Sequence, residues 1–123
     1  MRALDLSLCA ILDRGVEDIL PLEEFTRSII SGGATSIQVR LKRESTREIM
    51  DFTGRVLEVC AGTGVAVIVN DRLDVAMATG AQGVHLGEED MPVETARGLA
   101  GAGMIIGASV RDVAAARAAA SAG

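Results

Sequence analysis

Polar and charged side chains follow short runs rich in valine and isoleucine at several points in this sequence. The first group is Gln38, Arg40 and Lys42, which occupy alternate positions in and just after one such run. A guanidinium fork and a lysine ammonium group both bind phosphate oxygens well. Arg40 and Lys42 therefore predict binding of a phosphate-bearing ligand, unless they only belong to a solvated charged loop.

Two carboxylates follow the next two apolar runs. Asp71 comes directly after Val69 and Asn70, and Asp90 lies a few residues beyond His85. Carboxylates with a reference pKa of about 3.9 are ionised at neutral pH, and Mg²⁺ prefers such oxygen ligands while it also holds substrate phosphates. Asp71 and Asp90 thus indicate a magnesium-diphosphate site, although both could instead cap the helices that follow.

Three neutral groups complete the candidate set. They are Asn70, His85 and Ser109, each within or directly after a strand-like run. A lone strand histidine is more often a hydrogen-bonded structural residue than a catalyst, and Ser109 with Asp112 could form a capping box. The sequence has no Walker phosphate-binding loop and no cluster of Cys and His residues with metal-ligand spacing. It also lacks Ser, His and Asp residues in the order of a catalytic triad.

The elements that must position these groups alternate between strand and helix. Strands are predicted at Leu8 to Leu12, Ser36 to Leu41, Ala66 to Val69, Gly83 to Leu86 and Met104 to Ala108. Helices are predicted from Pro21, from the capping box Ser45 to Glu48, and over Asp71 to Thr79, Pro92 to Ala100 and Val110 to Ala120. Five such units match half or more of a β/α barrel, and they also match a complete flavodoxin-type sheet.

The pattern of the second strand separates these two folds. Alternation puts Gln38, Arg40 and Lys42 on one face of the strand and apolar residues on the other. Helices cover both faces of a doubly wound sheet, where unpaired charges cost several kcal/mol, whereas the mouth of a barrel is solvated. We therefore predict an α/β fold of the TIM (β/α)₈ barrel type, with its first five units present and strands in the order 1-2-3-4-5.

Composition excludes several classes of protein. The 123 residues are 49% hydrophobic and 24% charged, which is ordinary for one globular domain over residues 1–123. A net charge of −5 argues against nucleic acid and anionic membranes as partners. The apolar run from Leu6 to Leu12 is far shorter than the ~20 residues of a membrane span. We expect Cys9 and Cys60 to be buried, reduced thiols of a cytoplasmic protein.

Four ordered motifs at consecutive strand ends together resemble the thiamine phosphate synthase family. The motifs are Gln38-Val39-Arg40-Leu41-Lys42, Val69-Asn70-Asp71-Arg72, the segment from Gly80 to Asp90, and Ile106-Gly107-Ala108-Ser109. The resemblance runs from about Leu8 to Gly123 and corresponds to the N-terminal portion of the family.

This resemblance implies an enzyme of thiamine biosynthesis, a transferase that joins hydroxymethylpyrimidine diphosphate to thiazole phosphate and gives thiamine phosphate and diphosphate. It implies small-molecule substrates and no side-chain nucleophile. By the family's pattern Gln38 and His85 contact the pyrimidine, Arg40, Lys42, Asn70 and Ser109 surround the diphosphate, and Asp71 and Asp90 bind Mg²⁺.

The sequence departs from the family's pattern in two respects, and each leads to an expectation. Leu41 stands where the family usually has an acidic residue, and the family's later strands, with the loops for the thiazole phosphate, have no counterpart here. We therefore expect the 123-residue form to be incomplete and inactive alone. Exposed inward strand faces at Cys9, Ile11, Val67 and Ile106, or at their immediate neighbours, would then favour a homo-oligomer.

Two alternatives stay open at this point. A thiazole tautomerase-like protein would share the barrel without needing the metal pair, so a magnesium requirement would favour the synthase. A receiver-type signalling module has five β/α units and an aspartate after its third strand, which Asp71 matches. Such a module also needs paired acids after its first strand and a lysine after its fifth, where this sequence has a single Asp13 and Ser109.

Overall fold

A computed structural model describes residues 4–123 as an alternating series of parallel strands and helices. The strands are β1 (Cys9–Leu12), β2 (Ser36–Val39), β3 (Ala66–Asn70), β4 (Gly83–Leu86) and β5 (Ile105–Ala108). The helices are α1 (Leu22–Ser31), α2 (Thr46–Cys60), α3 (Leu73–Thr79), α4 (Val93–Ala100) and α5 (Val113–Ala122), and a short 3-10 helix (Arg14–Asp18) precedes α1. Within this described range no helix is long and apolar enough to cross a membrane.

The five strands form one sheet in the order β1-β2-β3-β4-β5. Every pair is parallel, with Leu12 opposite Val39 and His85 opposite Gly107. This order confirms the predicted sequential topology of a β/α barrel and excludes the flavodoxin-type order 2-1-3-4-5. It also brings the carboxyl ends of all five strands to the same edge.

Apolar residues on one face of the sheet pack against the helices and form the core. Ile37, Val39, Val67, Val69 and Val84 are each at most 1% exposed. Because side chains alternate along a strand, the residues between them point to the opposite face. That face carries the polar groups of β2 and β4, as the sequence predicts.

The starts of α2 and α5 show which capping predictions hold. The Ser45 hydroxyl accepts a hydrogen bond from the Glu48 amide at 3.2 Å and caps α2 as expected. Ser109 and Asp112 do not form the capping box that the sequence left open as an alternative, because Asp112 itself caps α5 by accepting from the Ala115 amide at 2.7 Å. Ser109 therefore lies outside the cap and faces the sheet edge.

Two predictions about buried residues need correction. Cys60 is buried, and burial raises the pKa of its thiol to about 11, but Cys9 is exposed. Among the residues expected on an open inward face, Ile11 is 60% exposed, whereas Val67 is fully buried and Ile106 packs on the core. The reason is the two-residue period: Cys9 and Ile11 share one face, and Val67 and Ile106 lie on the helix-covered face.

Candidate active site

A cavity of about 820 Å³ opens at the carboxyl ends of the strands. It brings together every residue that the sequence nominated: Gln38, Arg40, Lys42, Asn70, Asp71, His85, Asp90 and Ser109. Arg40, Lys42 and Ser109 are exposed in it, and the other five are half-buried. One pocket thus presents cations, carboxylates and neutral hydrogen-bonding groups to the same space.

Asp71 and Asp90 both line this pocket, and each carboxyl group affects the pKa of the other. Burial pushes the pKa of Asp71 upward, but hydrogen bonds from Lys42 and Asp90 outweigh it and leave the pKa lowered. Burial, and then the contact with Asp71, raise the pKa of Asp90. The two carboxylates repel each other, and the Lys42 ammonium group in contact with Asp71 offsets part of this repulsion.

The β4–α4 loop fixes the carboxylate of Asp90. Its Oδ2 atom accepts a hydrogen bond from the Gly87 amide at 2.7 Å, and its own amide donates to the Gly87 carbonyl at 3.2 Å. A side chain at Gly87 would place its Cβ 3.0 Å from the same Oδ2 atom. Glycine therefore lets this loop fold tightly around the Asp90 carboxylate.

His85 and Ser109 form a second contact inside the pocket. His85 Nε2 lies 2.9 Å from Ser109 Oγ, which is hydrogen-bonding distance. The Ser109 amide donates to the Leu86 carbonyl at 2.9 Å, so backbone pairing between the ends of β4 and β5 supports the contact. A hydroxyl and an imidazole held together in this way present one polar edge to a ligand.

Several residues of the pocket were missed from the sequence. They are Ile11, Gly87, Glu88, Glu89, Val110 and Arg111. Arg111 pairs with Glu88 at 3.1 Å across the mouth of the pocket. Its position two residues after Ser109 was the available signal, but an exposed arginine at a helix approach is not distinctive on its own.

A second cavity, of about 430 Å³, lies at the opposite end of the strands. Its described lining includes Thr35, Leu57, Cys60 and Gln82, with Asp5 as its one charged side chain. Its described lining contains no Lys or Arg, whereas the carboxyl-end pocket is lined by Arg40, Lys42 and Arg111.

The donor set of that pocket fits a hard divalent cation. Asp71 and Asp90 supply adjacent carboxylate oxygens, the ligand type that Mg²⁺ prefers. Within residues 4–123 no cluster of three or more His, Cys, Asp or Glu side chains is placed to hold a metal. A cation here would thus take its remaining ligands from water and a phosphate-bearing substrate, which is usual for Mg²⁺.

A parallel sheet in sequential order, with this charged pocket at its carboxyl edge, defines a protein of the β/α-barrel class. The family model described as thiamine monophosphate synthase matches residues 8–123. The chain therefore belongs to the thiamine monophosphate synthase family.

Individual relatives agree with the family match. The chain is 44% identical over 121 residues to a thiamine-phosphate synthase of Agrobacterium fabrum, covering 98% of this chain and 55% of that protein. It is 46% identical over 106 residues to one of Chlorobium luteolum, covering 86% and 48%. The solved thiamine phosphate pyrophosphorylase of Pyrococcus furiosus superposes with a TM-score of 0.82 at 36% identity, over 94% of this chain and 56% of that one. The chain spans about half the length of the relatives it matches.

Proposed function

We propose that the carboxyl-end pocket binds hydroxymethylpyrimidine diphosphate and assists the transfer of its pyrimidine to thiazole phosphate, which gives thiamine phosphate and diphosphate. The observation that carries this proposal is the convergence of eight side chains of matching chemistry in one cavity. The names of the relatives support the same reaction class.

Each group has a part in this proposal. Gln38 and His85 hydrogen-bond the pyrimidine ring, and Ser109 orients the His85 imidazole from 2.9 Å away while its exposed hydroxyl meets the diphosphate. Arg40 and Lys42 hold the diphosphate oxygens by charge-assisted hydrogen bonds, and Asn70 donates an amide N–H from the neighbouring strand end. The pyrimidine and the diphosphate would thus lie across β2, β3 and β4.

The chemistry follows from the bond that breaks. When the carbon–oxygen bond to diphosphate cleaves, its electron pair leaves with the diphosphate, and the pyrimidine methylene becomes cation-like. Fixed cations beside the departing oxygens stabilise this charge as it develops. We assign that role to Lys42 and Arg40, and no side chain has to form a covalent bond. The thiazole phosphate then bonds to the same carbon.

We propose Asp71 and Asp90 as the protein ligands of Mg²⁺. When bound, the ion would neutralise charge on the diphosphate leaving group. The two carboxylates would hold it at the pocket wall, and Lys42, which contacts Asp71, would then be available to the diphosphate. A thiazole tautomerase would not need a pair of metal-binding carboxylates, so the presence of Asp71 and Asp90 favours the transferase.

Calorimetric titration with hydroxymethylpyrimidine diphosphate tests the proposal. We expect binding in the presence of Mg²⁺ and binding at least about tenfold weaker after its removal, because the ion links carboxylates to phosphate oxygens. Asp71→Asn and Asp90→Asn should weaken binding similarly. Asp51→Asn is the matched control, since Asp51 is exposed on α2 and lies 3.7 Å from Arg55, outside the pocket residues.

Turnover to thiamine phosphate is the second measurement. Asp71→Ala should lower the rate at saturating substrates in any form of the protein that turns over, because the carboxylate acts on leaving-group charge. Tight binding that is weakened neither by removal of Mg²⁺ nor by the Asp substitutions would contradict the metal assignment. Magnesium-independent isomerisation of a thiazole phosphate, without coupling to the pyrimidine, would favour the tautomerase.

A further inference from the structure

The turn that carries Asp71 has an unusual backbone. Asp71 has φ 69°, and among residues 4–123 it is the single non-glycine residue with positive φ. The Arg72 amide donates to the Asn70 carbonyl at 2.8 Å and closes a three-residue γ-turn around Asp71. The sequence predicted Asp71 as the start of a helix, but α3 begins only at Leu73.

This turn directs Asp71 to its partners in the pocket. Its amide donates to the His85 carbonyl at 2.8 Å and ties the turn to the end of β4. Its carboxylate contacts Lys42, and Asp90 lines the same pocket. A left-handed conformation is unfavourable for a residue with a Cβ atom. The surrounding structure must therefore hold Asp71 in place.

The side chain of the next residue supplies such a restraint. Arg72 donates to Asp74 through Nε at 2.9 Å and Nη2 at 2.7 Å, and this forked pair lowers the pKa of Asp74. The same Nη2 donates to Thr46 Oγ1 at 2.9 Å. Thr46 begins α2, four residues after Lys42. Arg72 thus connects the Asp71 turn with the helix that follows the Lys42 segment.

We propose that Arg72 is a positioning residue, which clamps the left-handed turn at Asp71 so that its carboxylate faces Lys42 and Asp90. Arg72 is not among the residues that line the pocket. Its planar fork fixes direction as well as distance, which a lysine at the same position cannot reproduce. The consequence for metal binding rests on the function proposed above, whereas the restraint on the turn does not.

The test compares Arg72→Lys with Arg55→Lys. Arg55 is a matched control because it also forks onto a carboxylate, that of Glu23, through Nε at 2.7 Å and Nη2 at 3.2 Å, and its side chain is 30% exposed against 35% for Arg72. We expect Arg72→Lys to speed hydrogen exchange of the Asp71 amide, measured by NMR, by about tenfold through local opening. Arg55→Lys should leave that amide unchanged.

Binding of Mn²⁺, followed by electron paramagnetic resonance without substrate, is the second readout. We expect about tenfold weaker binding by Arg72→Lys, the size typical of residues that orient metal ligands, and unchanged binding by Arg55→Lys. Asp74→Asn should repeat both effects, and Thr46→Val should give smaller effects. If Arg72→Lys fails to fold, these two milder variants test the positioning role of Arg72 in its place.

The two proposals fail in different ways. Unchanged exchange of the Asp71 amide in Arg72→Lys and Asp74→Asn would overturn the clamp, whatever the metal does. Faster exchange with unchanged Mn²⁺ binding would overturn the link from the clamp to the carboxylate. If the wild-type protein binds no Mn²⁺ while exchange responds as expected, the clamp stands and the proposed metal ligands are wrong.

Discussion

At the scale of single residues, Gly107 makes room for the imidazole of His85. A Cβ atom at this position would lie 2.7 Å from His85 Nδ1, closer than such atoms approach in folded proteins. The imidazole ring therefore packs directly on the Gly107 backbone, and this packing sets the position of the ring relative to Ser109. Any side chain on Gly107 would push the ring outward.

We predict that Gly107→Ala weakens binding of hydroxymethylpyrimidine diphosphate. The displaced ring loses its 2.9 Å contact with Ser109, and one lost hydrogen bond of about 1 kcal/mol corresponds to roughly a fivefold loss in affinity. Titration calorimetry measures the change. Gly98→Ala is the control, since a Cβ atom there meets nothing within 4 Å. Equal affinities of the two variants would contradict the role given to Gly107.

The sequence was enough to predict the site residues, because their positions follow from the pattern of residues directly around them. Alternation along β2 and the position of strand ends are enough to place Gln38, Arg40 and Asn70 at one edge. The left-handed turn at Asp71 could not be found in this way. Its conformation depends on the His85 carbonyl and on Arg72 bonded to Thr46, which are contacts between segments far apart in the chain.

At the scale of elements, β4 passes its neighbours too closely for a side chain at Gly83. A Cβ atom there would lie 2.6 Å from the Ile105 carbonyl oxygen and 2.7 Å from the Ile68 side chain. The backbone oxygen cannot move without disturbing the pairing of β4 with β5. Glycine is therefore required for the spacing of these strands.

We predict that Gly83→Ala lowers the free energy of unfolding by about 1–3 kcal/mol, the usual cost of overpacking. Gly54→Ala should raise it by up to about 1 kcal/mol, because Gly54 lies inside α2 with nothing within 4 Å of a new Cβ atom and alanine favours helix. Urea unfolding measures both values. A Gly83→Ala protein as stable as wild type would show that the strands can separate at little cost.

An ion pair between α1 and α2 gives a prediction about pH. The forked hydrogen bond from Arg55 lowers the pKa of Glu23 to about 2 from an ordinary value of 4.5. Because the folded-state pKa is the lower one, the pair stabilises the fold above about pH 4.5 and loses this effect as the pH falls toward 2. The melting temperature of Glu23→Gln should therefore lie below that of wild type at pH 7 and approach it in acid.

Glu24→Gln is the neutral comparison for this series. Glu24 also lies in the first turn of α1, but it forms no ion pair with any residue of the described range. We expect its melting temperature to follow that of wild type at every pH. A constant difference between Glu23→Gln and wild type down to pH 2 would contradict the low pKa of Glu23.

Element types followed from the sequence more reliably than element ends. Runs rich in valine or isoleucine after glycine marked four of the five strands, and the apolar run from Leu8 to Leu12 marked the first. The end of β2 was placed at Leu41 but lies at Val39. Leu41 continues the alternation and is buried in the core, so its burial is that of a strand residue. The pairing of β2 with β3 nevertheless ends at Val39, two residues earlier.

At the scale of the whole molecule, apolar surface stays exposed on the sheet face opposite the helices. Ile11 is 60% exposed there and Cys9 lies beside it on the same face of β1. β1 and β5 each pair with one neighbour in the described chain, so both present free backbone edges. Exposed edges and apolar strand faces favour association.

We predict that the 123-residue chain self-associates in a concentration-dependent way. Light scattering after size exclusion measures the mass, and Ile11→Lys should shift the distribution toward the monomer because a charge on this face opposes its burial. Leu99→Lys is the control, since Leu99 is 59% exposed on α4, away from the sheet face. A monomeric wild-type chain at all concentrations would refute the prediction.

The strand order described above bears on how the chain is made. Each of the strands β2 to β5 pairs with the strand synthesised immediately before it, and one α-helix lies between the two in the sequence, with the 3-10 helix as a further element between β1 and β2. A ribosome releases a polypeptide from its N-terminus at about 5–20 residues per second, which is slow beside the microseconds that helices and hairpins need to form. Within residues 4–123 every pairing joins strands that are consecutive in the sequence, so this part of the sheet can grow one β/α unit at a time during translation.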